Sequence, residues 1–324
     1  MSSVVVGGTS TVSEIVTKKP RALIFESVIG AIAPASPGKA EREAAGLEEL
    51  KRLGFQVAPR QALTSEAYFA GSHEARGMEL SRALANDAVD GVFAVRGGYG
   101  SNYLLEGLQS VNLESPKAMV GYSDLTSLQI YLWQKHGWVS FYGPMIAAGL
   151  DVGAGAAKGY DRESLLAAVG NTESGYKMDL QGEVLAPGEA EGRILGGCLA
   201  LVETTLGTPW ELDTRGALLV LEDRGMRPWQ VDRGLMHLKQ AGKFESVRGI
   251  VLGDFPECEP PVAGSPTVRD VCQRILGPLG IPLVYGAPIG HTMRPMLTLP
   301  LGVQGRLSAE GNGLLEILEP AVVK

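Results

Sequence analysis

An α/β fold in two parts is what this sequence predicts, and three features predict it. Short apolar runs alternate with amphipathic stretches of helical period through residues 21–150, the rhythm of a parallel sheet with helices on both faces. A polar stretch without a long apolar period, 151–191, interrupts that rhythm. The alternation then resumes from Gly192 to the C-terminus, and 324 residues suffice for two separate cores. The expected organisation is an N-terminal domain over 21–150, a linker over 151–191 and a C-terminal domain over 192–324.

Each element has its own justification. Ala22–Ala33 is mostly apolar and runs into the turn Pro34-Ala35-Ser36-Pro37-Gly38, a buried strand followed by a loop. Lys39–Leu53 places Ala40, Ala44, Leu47 and Leu50 at helical spacing, and Gly54 ends it. Phe55-Gln56-Val57 starts a short strand. Ser72–Asp87 is helical, with Met78, Leu80, Ala83 and Leu84 on its apolar side. Val89–Val95 is a strand that stops at Arg96-Gly97-Gly98-Tyr99-Gly100. The stretch Lys117–Thr126 reads as an apolar run, a Gly-Tyr-Ser-Asp corner and the start of a helix at Leu125. Trp138–Phe141 is a further strand, and Pro144–Leu150 closes this half.

Inside 151–191 only Ser164–Val169 carries a local helical pattern. Beyond it, Leu195, Leu199, Leu201, Val202 and Leu206 interleave with Gly196-Gly197. Gly216–Leu221 and Val247–Gly253 read as buried strands, and Pro228–Ala241 and Val268–Leu279 as helices. Leu283–Tyr285, Leu297–Pro300 and Leu314–Leu318 are extended. No internal repeat is present.

Composition narrows the function. A net charge of −7 without a basic patch argues against nucleic acid as partner. Cys198, Cys258 and Cys272 are odd in number and lack C-x-x-C spacing, which suits a reducing compartment better than a disulfide framework. No H-E-x-x-H or Cys/His cluster offers a metal site. Val4-Val5-Val6 is too short for a signal-peptide core, and no run approaches the ~20 apolar residues of a membrane span. A cytoplasmic protein is expected. Glycine, 43 of 324 residues, is about twice its usual share and clusters between apolar runs, where backbone turns tightly or approaches a ligand.

Ligands of a parallel sheet bind beyond the carboxyl ends of its strands, so three loops should converge there: Pro34–Gly38, Arg96–Gly100 and Tyr122–Asp124. Ser123 stands at a strand-to-helix corner that resembles a nucleophile elbow, although Leu125 replaces the second glycine of G-x-S-x-G. The same serine could instead simply cap the helix. The glycines of RGGYG do not fit a dinucleotide fingerprint, and they suit either a backbone cradle for a developing oxyanion or a tight turn. Glu222 follows five apolar residues, at the expected end of a buried strand, where a carboxylate needs a partner. His291 lies in the Gly/Pro-shaped loop Ala287–Thr292, where an imidazole can take a serine proton at neutral pH. His73, His136 and His237 look like surface or packing residues. Nucleophile, acid and histidine in that order, each at a strand-to-loop transition, carry more weight together than singly.

With these motifs the chain resembles the LD-carboxypeptidases, serine peptidases that include the microcin-immunity peptidases. The resemblance runs in patches from about Val28 to Gly302: IGAIAPASP, AVRGGYG, VGYSDLT, GRILGGCLALVETTLGT, LLVLEDRG, GIVLGDF and GHTMRPMLTLPLG. It implies Ser123 as nucleophile, His291 as general base, Glu222 as the group orienting the imidazole, and the N–H groups of Gly98 and Asp124 as the oxyanion hole. It implies a flavodoxin-like or amidotransferase-like N-terminal domain, a smaller C-terminal α/β domain, a site between them and a homodimer. The implied reaction releases D-alanine from a murein tetrapeptide, with no cofactor and with Arg96 as the candidate partner of the substrate carboxylate. Cleavage of peptidyl or aminoacyl nucleotides is the alternative; it would want an aromatic ring to stack on the base, for which 151–191 offers Tyr160 and Tyr176. A catalytically silent binding protein is the other class to consider, and the intact Ser, Glu and His speak against it. Where the family usually has a Pro-Gly-Asp turn before the first strand, this chain has Ile24-Phe25-Glu26-Ser27.

Overall fold

Four short apolar segments, buried along nearly their whole length, begin the structure: β1 (Val28–Ile32), β3 (Gly91–Ala94), β4 (Ala118–Gly121) and β5 (Ser140–Tyr142). With the two-residue edge strand β2 (Gln56–Val57) they form a parallel sheet. The computed structural model describes residues 15–173 and 175–324; the Val4–Val6 run lies outside them. Strands buried on both faces read as continuous apolar runs, which is why these were legible. Helices α1 (Ala40–Arg52), α2 (His73–Ala85) and α3 (Thr126–His136) connect them. Ser72 caps α2 by accepting from the Ala75 N–H, while Met78, expected on the apolar face, is 44% exposed.

The second sheet has eight strands. Its centre is parallel: β8 (Gly188–Cys198), β9 (Ala217–Glu222), β10 (Gly249–Gly253) and β11 (Leu283–Ala287). Helices α5 (Leu199–Glu203), α6 (Pro228–Gln240) and α7 (Val268–Leu276) follow β8, β9 and β10. Antiparallel strands flank this centre: β7 (Glu183–Ala186) beside β11, and β13 (Gln304–Ala309), β14 (Leu314–Ile317) and β6 (Tyr176–Asp179) outward from β8.

Two expectations need correction. The stretch 151–191, expected as a linker with a local helix over Ser164–Val169, holds that helix as α4 (Arg162–Gly170) but also β6, β7 and the start of β8. Its strands are short and only partly buried, so their side chains give no apolar run. The second departure is β12 (Leu299–Leu301), which comes from the C-terminal half yet pairs antiparallel with β5 and completes the first sheet as its sixth strand. The fold is thus two α/β domains, the first mostly parallel and the second mixed, and the second sheet is the larger.

The helix after the Ser123 corner joins the two. Every residue of α3 from Thr126 to Trp133 is buried, the mark of a helix enclosed on all sides. Its Leu128, Tyr131 and Leu132 pack with the first domain, and Ile130 and Trp133 with the second. Among the described residues no helix is long and apolar enough to cross a membrane.

Candidate active site

The corner between β4 and α3 holds Ser123 at φ +64°, the left-handed region that a serine rarely enters. Such strain of about 1–2 kcal/mol persists only where the surroundings enforce it. Here they do. The Ser123 N–H donates to the Tyr142 hydroxyl at 3.2 Å, and Gln129 in α3 donates to the carbonyls of Gly121 and Phe141, both at 3.0 Å.

The three loops expected at the carboxyl ends of β1, β3 and β4 do meet. Ser36 N–H donates to Gly97 O at 3.2 Å, and Ser36 Oγ accepts from Tyr99 N–H at 3.3 Å. The Asp124 carboxylate accepts from Gly100 and Ser101 N–H at 3.3 and 2.8 Å, and Ser101 Oγ donates to Asp124 O at 2.7 Å. Burial pushes the Asp124 carboxyl up, opposed by these donors. Gly97 and Gly98 have physical reasons to be glycine: a Cβ on Gly97 would lie 3.1 Å from Ser123 Oγ, and Gly98, at φ +104°, is pressed against Ser36. The N–H groups of Gly98 and Asp124 donate to no acceptor among the described residues. Two uncommitted N–H groups beside a serine are what an oxyanion hole requires.

Glu222 ends β9 and is fully buried. Its Oε2 accepts from the His291 N–H and from Nδ1, each at 2.9 Å, and its Oε1 accepts from the Tyr142 hydroxyl at 2.5 Å. Nδ1 therefore carries a proton, which leaves Nε2 free to accept one. Burial alone would lower the His291 pKa; the Glu222 charge and hydrogen bond outweigh it, and the net shift is upward. Gly290, at φ +65°, leaves the space the carboxylate occupies, since a Cβ there would overlap Glu222 Cδ. The Tyr122 ring stands edge-on to the imidazole at 5.1 Å.

Ser123, Gly98 and His291 line one cavity of about 420 Å³ between the domains. A larger cavity, about 740 Å³, lies between β1, α2 and residues 58–66 and contains none of these groups, so chemistry rather than size selects the site. Arg96 lines the smaller cavity and donates to Pro37 O at 3.1 Å, so it also holds its own loop. Lys158, unforeseen in the sequence, lines it too; among the described residues neither cation forms an ion pair, whereas Arg224 is paired with Glu257 at 2.6 Å. Tyr160 and Tyr176 do not line this cavity; Tyr160 is buried and donates to Glu49 at 2.8 Å. Of the other histidines, His73 stacks on Tyr103 and His237 meets Glu203 at 2.9 Å. No group of three or more His, Cys, Asp or Glu placed to hold a metal occurs among the described residues.

Residues 29–143 match the model of the LD-carboxypeptidase N-terminal domain, and residues 191–307 that of the LD-carboxypeptidase C-terminal domain. The chain belongs to the LD-carboxypeptidase family. Within this family it is 35% identical over 303 residues to a probable murein peptide carboxypeptidase of Bacillus subtilis, covering 92% of this chain and 94% of that one. It is 28% identical to the microcin C7 self-immunity protein MccF of Escherichia coli, over 84% of this chain and 87% of the relative. The crystal structure of muramoyltetrapeptide carboxypeptidase from Oxalobacter formigenes superposes with a TM-score of 0.79 at 28% identity, covering 92% of this chain and all of that one.

Proposed function

We propose that this LD-carboxypeptidase family member is a serine carboxypeptidase that hydrolyses an L,D-amide bond and releases terminal D-alanine from murein tetrapeptides. The observation that carries the reading is the meeting, in one cavity, of a serine on a left-handed corner and a histidine whose Nδ1 is bound to a buried carboxylate. In this mechanism Ser123 Oγ attacks the carbonyl carbon while His291 Nε2 takes its proton. Glu222 holds the imidazole tautomer and stabilises the imidazolium. The Gly98 and Asp124 N–H groups receive the oxyanion, and His291 then protonates the departing D-alanine amine. Water attacks the acyl-enzyme by the same route in reverse roles. Arg96, with Lys158 nearby on the cavity wall, receives the terminal carboxylate of the peptide.

A terminal D-residue presents its methyl and carboxylate in mirrored positions, so a site that clamps the carboxylate accepts one enantiomer. Purified protein offered the four Lys-Ala diastereomeric tetrapeptides should release D-alanine from the L,D end at least ~10²-fold faster than alanine from the L,L end. Chiral chromatography reads the product. Equal cleavage of both ends would refute the reading. Turnover of an aminoacyl sulfamoyl adenylate with no peptide cleavage would favour the nucleotide alternative; neither Tyr160 nor Tyr176 lines the cavity, whose lining includes the aromatic ring of Tyr122. The same reading makes the enzyme a cytoplasmic homodimer that needs no cofactor.

A further inference from the structure

Tyr142 is assigned no role by the reading above, yet its hydroxyl touches both halves of the site. It ends β5, where it pairs in register with Gly121 of β4, so its ring rises beside the Ser123 corner. The residue is fully buried. Both hydrogen bonds have forced directions: the Ser123 amide can only donate, at 3.2 Å, and the Glu222 carboxylate can only accept, at 2.5 Å. One hydroxyl therefore spends its lone pair on the corner and its proton on the acid. Oε2 of Glu222 is taken by His291, so among the described residues Tyr142 is the only partner of Oε1.

We propose that Tyr142 is a positioning residue that ties the strained Ser123 corner to the Glu222–His291 pair and tempers how strongly Glu222 holds the proton on His291. The inference rests on the Ser123–His291 mechanism. Its physical content is simple. A donor on Oε1 spreads the carboxylate charge, so the carboxylate stabilises the imidazolium less and His291 holds its extra proton less tightly. The other charged and titratable groups around the pair are Asp223, Arg224, Glu257, Tyr122 and Cys198, and none of them donates to Oε1. Burial, then the Glu222 charge, keep the Tyr142 proton on its oxygen, so the donor is present across the working pH range.

The test is the rate at which a fluorophosphonate probe phosphonylates Ser123 Oγ, with loss of fluoride, as a function of pH, which needs no knowledge of the natural substrate. Wild type, Tyr142→Phe and Ser123→Ala are compared as full-length chains. Tyr142→Phe is expected to label about 10–100-fold more slowly at its plateau, with the acid limb of its profile moved to higher pH. Site-specific replacement of Tyr142 by 3-fluorotyrosine, a stronger donor, should move that limb to lower pH, and it covers the case in which Tyr142→Phe does not fold. A wild-type rate and profile in Tyr142→Phe would overturn the inference. So would a slower rate with an unmoved acid limb, which would mark the tyrosine as merely structural. Labelling of Ser123→Ala at the wild-type rate would instead overturn the underlying mechanism, and the inference with it.

Discussion

The two walls of the cavity do different physical work. The N-terminal wall is built of backbone: a serine at φ +64°, a glycine loop held by Ser36, and two N–H groups without acceptors among the described residues. The C-terminal wall is built of charge: a fully buried carboxylate with three donors, and a histidine whose pKa it raises. One side stores geometry and the other electrostatics. That difference predicts how each fails when altered, because a backbone cradle is lost by misplacement and a charge network by leaving one member unpaired.

The sharpest break comes from the proposed nucleophile and base. Ser123→Ala and His291→Ala should each lower turnover by about 10⁴–10⁶-fold, and the double change should cost little more than either alone. Multiplicative losses in the steady-state rates would show that the walls do not act together. Next in size is Glu222→Gln, expected to cost on the order of 10⁴-fold through loss of the tautomer and of imidazolium stabilisation.

The pH profile separates charge from geometry. His291 must be neutral to act as base, and Glu222 raises its pKa above the ordinary 6.5, so kcat/KM should rise with pH through an acid limb above 6.5. In Glu222→Gln the largest raising influences are gone, only the Asp223 charge still raises, and burial remains, so that limb should move to lower pH. A limb that stays in place would remove Glu222 from the titration of the histidine.

Smaller effects probe the supports. Gly290→Ala would push a methyl group into the Glu222 carboxyl from a left-handed position, and displacement of order 1 Å should cost about 10²-fold in kcat. Arg96→Ala should mainly raise KM, lowering kcat/KM by about 10–100-fold, the worth of one charge-assisted hydrogen bond of ~1.5–3 kcal/mol. If kcat fell with KM unchanged, Arg96 would be holding its loop through Pro37 rather than the substrate.

Where the chain was legible follows from which interactions shape it. Strands buried on both faces announced themselves as apolar runs: Ala118–Val120 lies in β4 and Ala217–Leu221 in β9. Strands β6 and β7 did not, because Tyr176-Lys177-Met178-Asp179 and Glu183-Val184-Leu185-Ala186 expose much of their surface and are too short for a period to emerge. β13 was hidden in the same way, its alternation carried by Leu307 and Ala309 among Gln, Gly, Arg and Ser. Within the site, Ser123, Glu222 and His291 stood out because each ends an apolar run or sits in a glycine-shaped loop. Tyr142 did not, since its importance comes from partners 19 and 80 residues away. One cue was present: a tyrosine closing the strand next to the Ser123 corner places a hydroxyl beside it. Lys158 offered none, because its loop is brought to the cavity by long-range backbone pairing, Lys158 N–H donating to Met293 O at 3.2 Å and Met296 N–H to Gly159 O at 3.1 Å.

β12 gives the histidine loop an unusual mooring. His291 leaves β11 in one sheet, and eight residues later the chain is locked into the other sheet at β5. Any hinge opening between the halves would pull this short tether taut, so the Glu222–His291 geometry and the mutual docking of the domains should melt as a single event. Severing the backbone in the tether, between Thr292 and Thr298, would then release both at once, whereas a nick near Gly264, in the exposed turn before α7, should leave them joined.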